Sequence, residues 1–216
     1  MSRKPLNIGV CGVGTVGLAT IGILRDQCET LLARSGQEMV VSHVGARREH
    51  PDHDYGAARV SRDILDVARD PDVDVLVELI GGTTMAHDLI KLAIEQGKHV
   101  VTANKALIAE HGNELIATAE AAGVQIRYEA AVAGGIPVIK VLRESLAANA
   151  VTEVAGIING TGNFILTEMS TKGRAFDDVL SEAQALGYAE ADPTFDVDGT
   201  DAAHKLVILA SLAFGI

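Results

Sequence analysis

The chain has 216 residues, a formal net charge of −11, two cysteines, three Tyr, four Phe and no Trp. That length buries a core without staples, and Cys11 and Cys28 lack the spacing of a metal knuckle or redox pair, which points to a reducing, cytoplasmic setting. The acidic balance opposes a nucleic-acid backbone, the few aromatics leave few base-stacking platforms, and the longest apolar run, residues 206–216, is far short of the roughly 20 that span a bilayer. Nucleic acid and membrane are thereby excluded as partners, and small-molecule chemistry remains.

Residues 1–5, with Arg3 and Lys4, run into a strand-like segment rather than the apolar stretch of a secretory signal. Residues 6–11 form a short apolar strand ending at a glycine cluster, and Val16, Leu18, Ile21, Ile23, Leu24, Leu31 and Leu32 then repeat with helical spacing. Residues 39–46 and 73–80 read as buried strands, with a polar loop at 48–57 between them. Residues 86–96 predict a helix stopped by Gly97, 99–102 a strand, 106–122 a helix stopped by Gly123, and 125–128 a strand. This alternation specifies a Rossmann-type, doubly wound parallel sheet whose ligand lies at the carboxyl ends of the strands. The first domain is expected at 1–128.

At residues 133–137 two glycines and Pro137 open a second domain with a helix through Leu146. Residues 151–158 read as a strand, 160–162 as a turn, and 164–169, 176–186 and 201–214 as helices. The expectation for 129–216 is a smaller α+β domain.

Gly12-Val13-Gly14-Thr15-Val16-Gly17 has the G-x-G-x-x-G spacing between a predicted strand and helix, the setting in which it binds a dinucleotide. At the end of the second strand, Arg47 and Arg48 come before any carboxylate, the first being Glu49. Arginines accept a 2′-phosphate, so the reading favours NADP over NAD with Arg47 as first contact; two solvated loop arginines are the alternative. Glu190, Asp192, Asp196, Asp198 and Asp201 lead to Lys205, and the i,i+4 spacing of Asp201 and Lys205 lets the acid orient an ammonium that can exchange a proton with a substrate oxygen. Asp198 or Thr200 as a helix cap and Asp192-Pro193 as a turn are the bland alternatives. An EF-hand is excluded, because aligning Gly199 to its invariant glycine puts Thr194 and Lys205 at the terminal ligands. His50, Asp52, His53 and Asp54 read as a polar loop rather than a metal site.

The chain resembles homoserine dehydrogenase in the glycine fingerprint, in Glu78 to Gly82, in Val100 to Lys105, in Glu129 to Pro137, in Gly156 to Phe164 and in Leu186 to Lys205. The resemblance implies NAD(P)-dependent interconversion of L-homoserine and L-aspartate 4-semialdehyde, on the route to threonine, methionine and isoleucine. It implies Lys205 as acid/base with Asp201 beside it, Lys105 as a second lysine near nicotinamide and substrate, and Glu190 for the substrate amino group. Asp196, Gly160 and Thr161 line the substrate pocket, and Gly82 joins the cofactor contacts. A monovalent cation, usually sodium, would be held by carbonyls of Glu129, Val132, Gly134 and Ile136. Phe164, where the family often has Tyr, and residues 83–86 depart from its pattern. The family's catalytic region continues past the equivalent of Ile216, so the second domain is expected to be truncated here, whereas full-length members homo-oligomerise.

Two rivals stand beside this reading. A phosphorylating dehydrogenase of another semialdehyde would need a catalytic thiol, and Cys11 lies within the first strand and Cys28 on the first helix. A non-catalytic NAD(P)-binding regulatory module, or a truncated paralogue, would keep the fold and do no chemistry.

Overall fold

Fully apolar strands separated by helices must be covered on both faces, and the computed structural model, which describes residues 3–48 and 53–216, satisfies this with one parallel sheet. The chain divides into two compact units, one ending at Ala131 and one running Val132–Ile216. The first contains β1 (Leu6–Cys11), α1 (Thr15–Asp26), α2 (Cys28–Ser35), β2 (Met39–Gly45), β3 (Arg59–Ser61), α3 (Leu65–Arg69), β4 (Val75–Glu78), α4 (Thr84–Glu95), β5 (His99–Thr102), α5 (Lys105–Ala121) and β6 (Ile126–Arg127). The sheet order is β3-β2-β1-β4-β5-β6, every pair parallel. The order reverses between β1 and β4, so the crevice beyond their carboxyl ends is the place where such sheets bind ligands.

One core cluster packs Ile8, Val10, Val44 and Val77 of the strands against Ile21 of α1. Leu76, Leu89, Ile90, Ile94, Leu107 and Leu115 are also fully buried. The expected helix from Val16 to Leu32 is instead two, broken at Gln27. No glycine or proline marks the break, and α2 buries none of its residues, so the apolar pattern carries no sign of it. β3 and α3 escape the sequence reading for a related reason. Three residues, two of them exposed, and a five-residue helix are too short to show a period.

Away from the ligand edge the unit is tied by a buried polar group. His43, with no exposed surface, contacts Asp70 Oδ2 through Nδ1 at 2.7 Å and Ser61 Oγ through Nε2 at 2.8 Å. Lys98, also buried, donates to the Asp70 and Val73 carbonyl oxygens at 2.5 and 2.8 Å. Its burial lowers its pKa, against the raising influence of Asp70, Asp74 and Asp72.

The second unit contains α6 (Val138–Lys140), continued by a π-helical turn at Val141–Ser145, then α7 (Gly160–Lys172), α8 (Phe176–Ala185), α9 (Thr194–Val197) and α10 (Thr200–Phe214). Residues 151–158 carry no strand, correcting the expectation. A β-branched run becomes a strand only against an edge that takes its hydrogen bonds, and the described residues of this unit contain none. Residues 160–162 are likewise the first turn of α7 rather than a free turn, because the Asn159 side chain caps that helix. No helix among the described residues is long and apolar enough to cross a membrane.

Burial works to raise the Asp70 pKa, but the Asp72 amide, His43 and Arg59 outweigh it and hold the carboxyl below its ordinary value. A lowered folded-state pKa gives stability that is present above the unfolded value near 4 and is lost as the pH falls through the folded one. Asp70→Asn should therefore cost about 1–3 kcal/mol in urea denaturation at pH 7. The gap to the parent should narrow below about pH 4, and a gap unchanged down to pH 2 would contradict the assignment.

Candidate active site

β1 must turn at once into α1, and three glycines serve that turn for different reasons. Gly12 has φ +100°, and a Cβ there would lie 2.5 Å from the Leu79 carbonyl oxygen. A Cβ on Gly17 would lie 2.0 Å from the Gly12 carbonyl oxygen, which would prevent α1 from packing on the turn. Gly14 is unlike both, since a Cβ there would meet no protein atom within 4 Å. The packing of the fold therefore does not itself require a glycine at position 14. Gly14 is also the N-cap of α1, with no side-chain cap and no acid in the first turn, so the leading amides are available to an anion. Val13 is buried, while Thr15 and Val16 are exposed.

This turn is one wall of a cleft of about 380 Å³. Gly45 at the end of β2 and Ala46, Arg47 and Arg48 beyond it line the cleft, with Leu79 and Ile80 beyond β4. Amides at the turn and two guanidinium groups past β2 suit the phosphates of a dinucleotide, and no described carboxylate lines the cleft. Glu49, His50 and Asp52 lie outside the described residues.

Gly82 and Lys105 follow the next two strands, and buried hydrogen bonds join their loops. Glu78, with no exposed surface, accepts from the Ile80 and Gly81 amides at 2.8 and 3.2 Å and from the Thr102 hydroxyl at 2.5 Å. Thr102 Oγ1 accepts from the Asn104 amide at 2.9 Å. The Asn104 side chain donates to the Gly82 carbonyl at 2.7 Å and accepts from the Leu107 amide at 3.1 Å, capping α5. Lys105, half-buried, opens that helix, whose first turn holds no acid.

Cys11 is no nucleophile. Burial, aided by the Glu78 charge, raises its pKa far above the ordinary thiol range, and Sγ faces the Ile64 carbonyl at 3.7 Å. Cys28 is exposed on α2.

The second unit has its own polar centre. Lys205 and Asp201, one turn apart on α10, pair at 2.7 Å, and the ammonium also donates to the Ile158 carbonyl at 2.8 Å. Both side chains are mostly buried, at 21% and 13% exposure. Asn159 binds the cluster together, its Nδ2 donating to Asp196 Oδ1 at 2.8 Å and Asp201 Oδ2 at 2.9 Å while its Oδ1 accepts from the Gly162 amide at 2.6 Å. Thr161, buried, donates to the Tyr188 carbonyl at 2.6 Å, and Tyr188 meets Phe164 edge-on at 5.3 Å. A cleft of about 450 Å³ is lined by Asn159, Gly160, Thr161, Phe164, Tyr188, Asp196, Asp201 and Lys205. It gathers acids and one amine, the set that holds and protonates a small polar molecule.

Glu190 is exposed and does not line that cleft, though its carbonyl accepts from Gln184 at 3.1 Å. Asn159 and Tyr188 are cleft residues given no role by the sequence reading. Asn159 lies within Gly156 to Phe164, and a polar residue just before a helical run is the available signal. Asp192 does shape a turn, accepting from the Thr194 amide and hydroxyl at 3.2 and 2.6 Å, and Asp198 accepts from the Thr200 amide at 2.8 Å. Of the residues expected to offer carbonyls to a cation, Glu129 lies in a 3-10 turn, Glu129–Ala131, at the end of the first unit, and Val132, Gly134 and Ile136 belong to the second. There Ala133 takes a positive φ of 51°, and the Ile136 amide donates to its carbonyl at 2.8 Å.

Family models match nearly all of the chain: "Homoserine dehydrogenase, NAD binding domain" at residues 12–129 and "Homoserine dehydrogenase" at 137–216. The homoserine dehydrogenase of Pseudomonas aeruginosa is 62% identical over 213 residues, which are 99% of this chain and 49% of that protein. The crystal structure of a Thiobacillus denitrificans homoserine dehydrogenase superposes with a TM-score of 0.90 at 55% identity, covering 99% of this chain and 50% of that one. A hyperthermophilic archaeal homoserine dehydrogenase in complex with NADPH superposes with a TM-score of 0.83 at 29% identity, covering 99% of this chain and 71% of that one. The chain thus spans about half the length of the curated relatives it matches.

The glycine geometry separates folding from binding. Gly17→Ala should lower stability by roughly 1–3 kcal/mol in thermal denaturation, whereas Gly14→Ala should leave the midpoint near the parent's and weaken NADPH in fluorescence titration. An equal loss of stability in the two variants would contradict it.

Proposed function

The chain belongs to the homoserine dehydrogenase family, and from that premise we propose that it acts in the reversible NAD(P)H-dependent interconversion of L-aspartate 4-semialdehyde and L-homoserine in the cytoplasm. Residues 1–128 take the dinucleotide, and 129–216 are the described part of the substrate domain. The observation that carries this is the Asn159–Asp201–Lys205 cluster lining a cleft with Asp196 and Thr161.

The glycine turn fits a dinucleotide, because the space beside Gly14 and the uncapped amides of α1 are what a pyrophosphate uses. When bound, the nicotinamide supplies or receives the hydride. Lys205 gives a proton to the substrate oxygen in the reducing direction and takes it back in the oxidising one, with Asp201 and the Ile158 carbonyl aiming the ammonium. Asp196, Gly160 and Thr161 shape the pocket, and the resemblance gives Glu190, which lies outside the cleft lining, the substrate amino group and Lys105 the part of a second lysine. A monovalent cation, sodium by the resemblance, takes hard oxygen donors, and the resemblance assigns it the carbonyls of Glu129, Val132, Gly134 and Ile136. NADP is the preferred dinucleotide, supported by Arg47 and Arg48 in the cleft beyond β2. Self-association is a property of full-length members of the family, by the resemblance.

NADPH oxidation with aspartate semialdehyde tests the reaction directly. The parent should turn over and Lys205→Ala should lose roughly 10²–10⁴-fold. Binding of NADPH with no turnover by either protein would establish the non-catalytic module instead. Arg47→Ala should weaken NADPH by about tenfold or more and NADH much less, and equal losses would remove the NADP preference.

A further inference from the structure

On the helical layer formed by α4 and α5, outside both clefts, three donor side chains converge with no described role. His87 lies in the first turn of α4, and His111 and Glu114 are spaced i,i+3 on α5, hence on one face of it. The two imidazole rings stand 5.0 Å apart at 60°, and one donor atom from each of the three residues falls within 4.8 Å of the other two. His87 Nε2 is buried and makes no hydrogen bond; the nearest carboxylate oxygen, Glu114 Oε1, is 3.8 Å away, too far to accept one. A buried ring nitrogen left without a partner carries a desolvation cost that a ligand would relieve.

We propose that His87, His111 and Glu114 form a zinc site that clasps α4 to α5. Two imidazole nitrogens and one carboxylate are a donor set that zinc accepts, bound at about 2.0–2.2 Å, with water in the fourth position. Calcium and magnesium require mostly oxygen ligands and are not served by this set. Tetrahedral coordination needs the donors about 3.4 Å apart. Glu114, with 61% of its side chain exposed, supplies the closing movement by rotation, and its exposure gives the ion a path from solvent. Asp88 Oδ1, 3.8 Å from His87 Nδ1, must close on the ring by side-chain rotation before it can orient it from its other side, as carboxylates behind metal-bound histidines do.

The test is calorimetric titration of the whole, tag-free, metal-stripped chain with zinc chloride. One ion per chain should bind, His111→Ala and Glu114→Gln should each weaken it by about tenfold or more, and the double variant should lose it. Both residues reach solvent on a helix surface, so the variants should fold, which circular dichroism checks. Zinc should also raise the thermal midpoint of the parent and leave that of the double variant unmoved. A parent that binds no zinc, or a double variant that binds it as tightly as the parent, overturns the site.

Discussion

The ligand edge of the first unit depends on one carboxyl group buried at the end of a strand. Glu78 has no contact with solvent, and a polar group so placed is tolerable only when both its oxygens find donors. Oε1 accepts from the two amides of the turn after β4 and Oε2 from the hydroxyl at the end of β5. Through Thr102 the same group fixes Asn104, which holds the Gly82 carbonyl and caps α5. The positions of Gly82 and Lys105 are thus set by one chain of hydrogen bonds rather than by two independent loops. Its inner members are shielded from water, so the arrangement is stiff.

Asn159 does the corresponding work in the second unit. One amide side chain ends a non-helical segment, caps α7 and donates to two carboxylates, one of which orients Lys205. An amide suits this place because it offers both an acceptor and two donors. Aspartate would cap the helix equally well but would bring a third negative charge against Asp196 and Asp201. The acid–lysine cluster and the start of a helix are therefore stabilised together.

The sequence makes the sheet legible because its central strands, β1, β2, β4 and β5, are apolar runs cut off by glycine or by polar turns. It hides β3, whose Arg59 and Val60 face solvent. It misleads at residues 151–158, because β-branched residues report a liking for pleated surfaces and not the presence of a neighbouring edge. At the site, the pairing of Asp201 with Lys205 is legible because i,i+4 spacing on a helix is a local property. The bond from Lys205 to the Ile158 carbonyl and the bridge from Asn159 to Asp196 are not, since they join residues 47 and 37 positions apart. His87 and His111 belong to the same class: two unremarkable histidines in one dimension, neighbours in three.

A chain with a net charge of −11 must still admit a ligand whose phosphates are negative, and it does so by where its acids are left out. The helices that follow β1, β4 and β5, the strands at and beside the reversal of the sheet, are α1, α4 and α5, and none has an acid in its first turn. α2, α3, α8 and α10 all do, the usual arrangement that complements the positive end of a helix. By giving up that local stabilisation at α1, the chain keeps its first amides unopposed beside Gly14, while Arg47 and Arg48 supply full positive charges across the same cleft. At the distance of a bound phosphate these few fixed donors outweigh the screened field of acids spread over the rest of the surface. The acidity of the protein and a site for an anionic cofactor are thus compatible, because one is a property of the whole surface and the other of a single cleft.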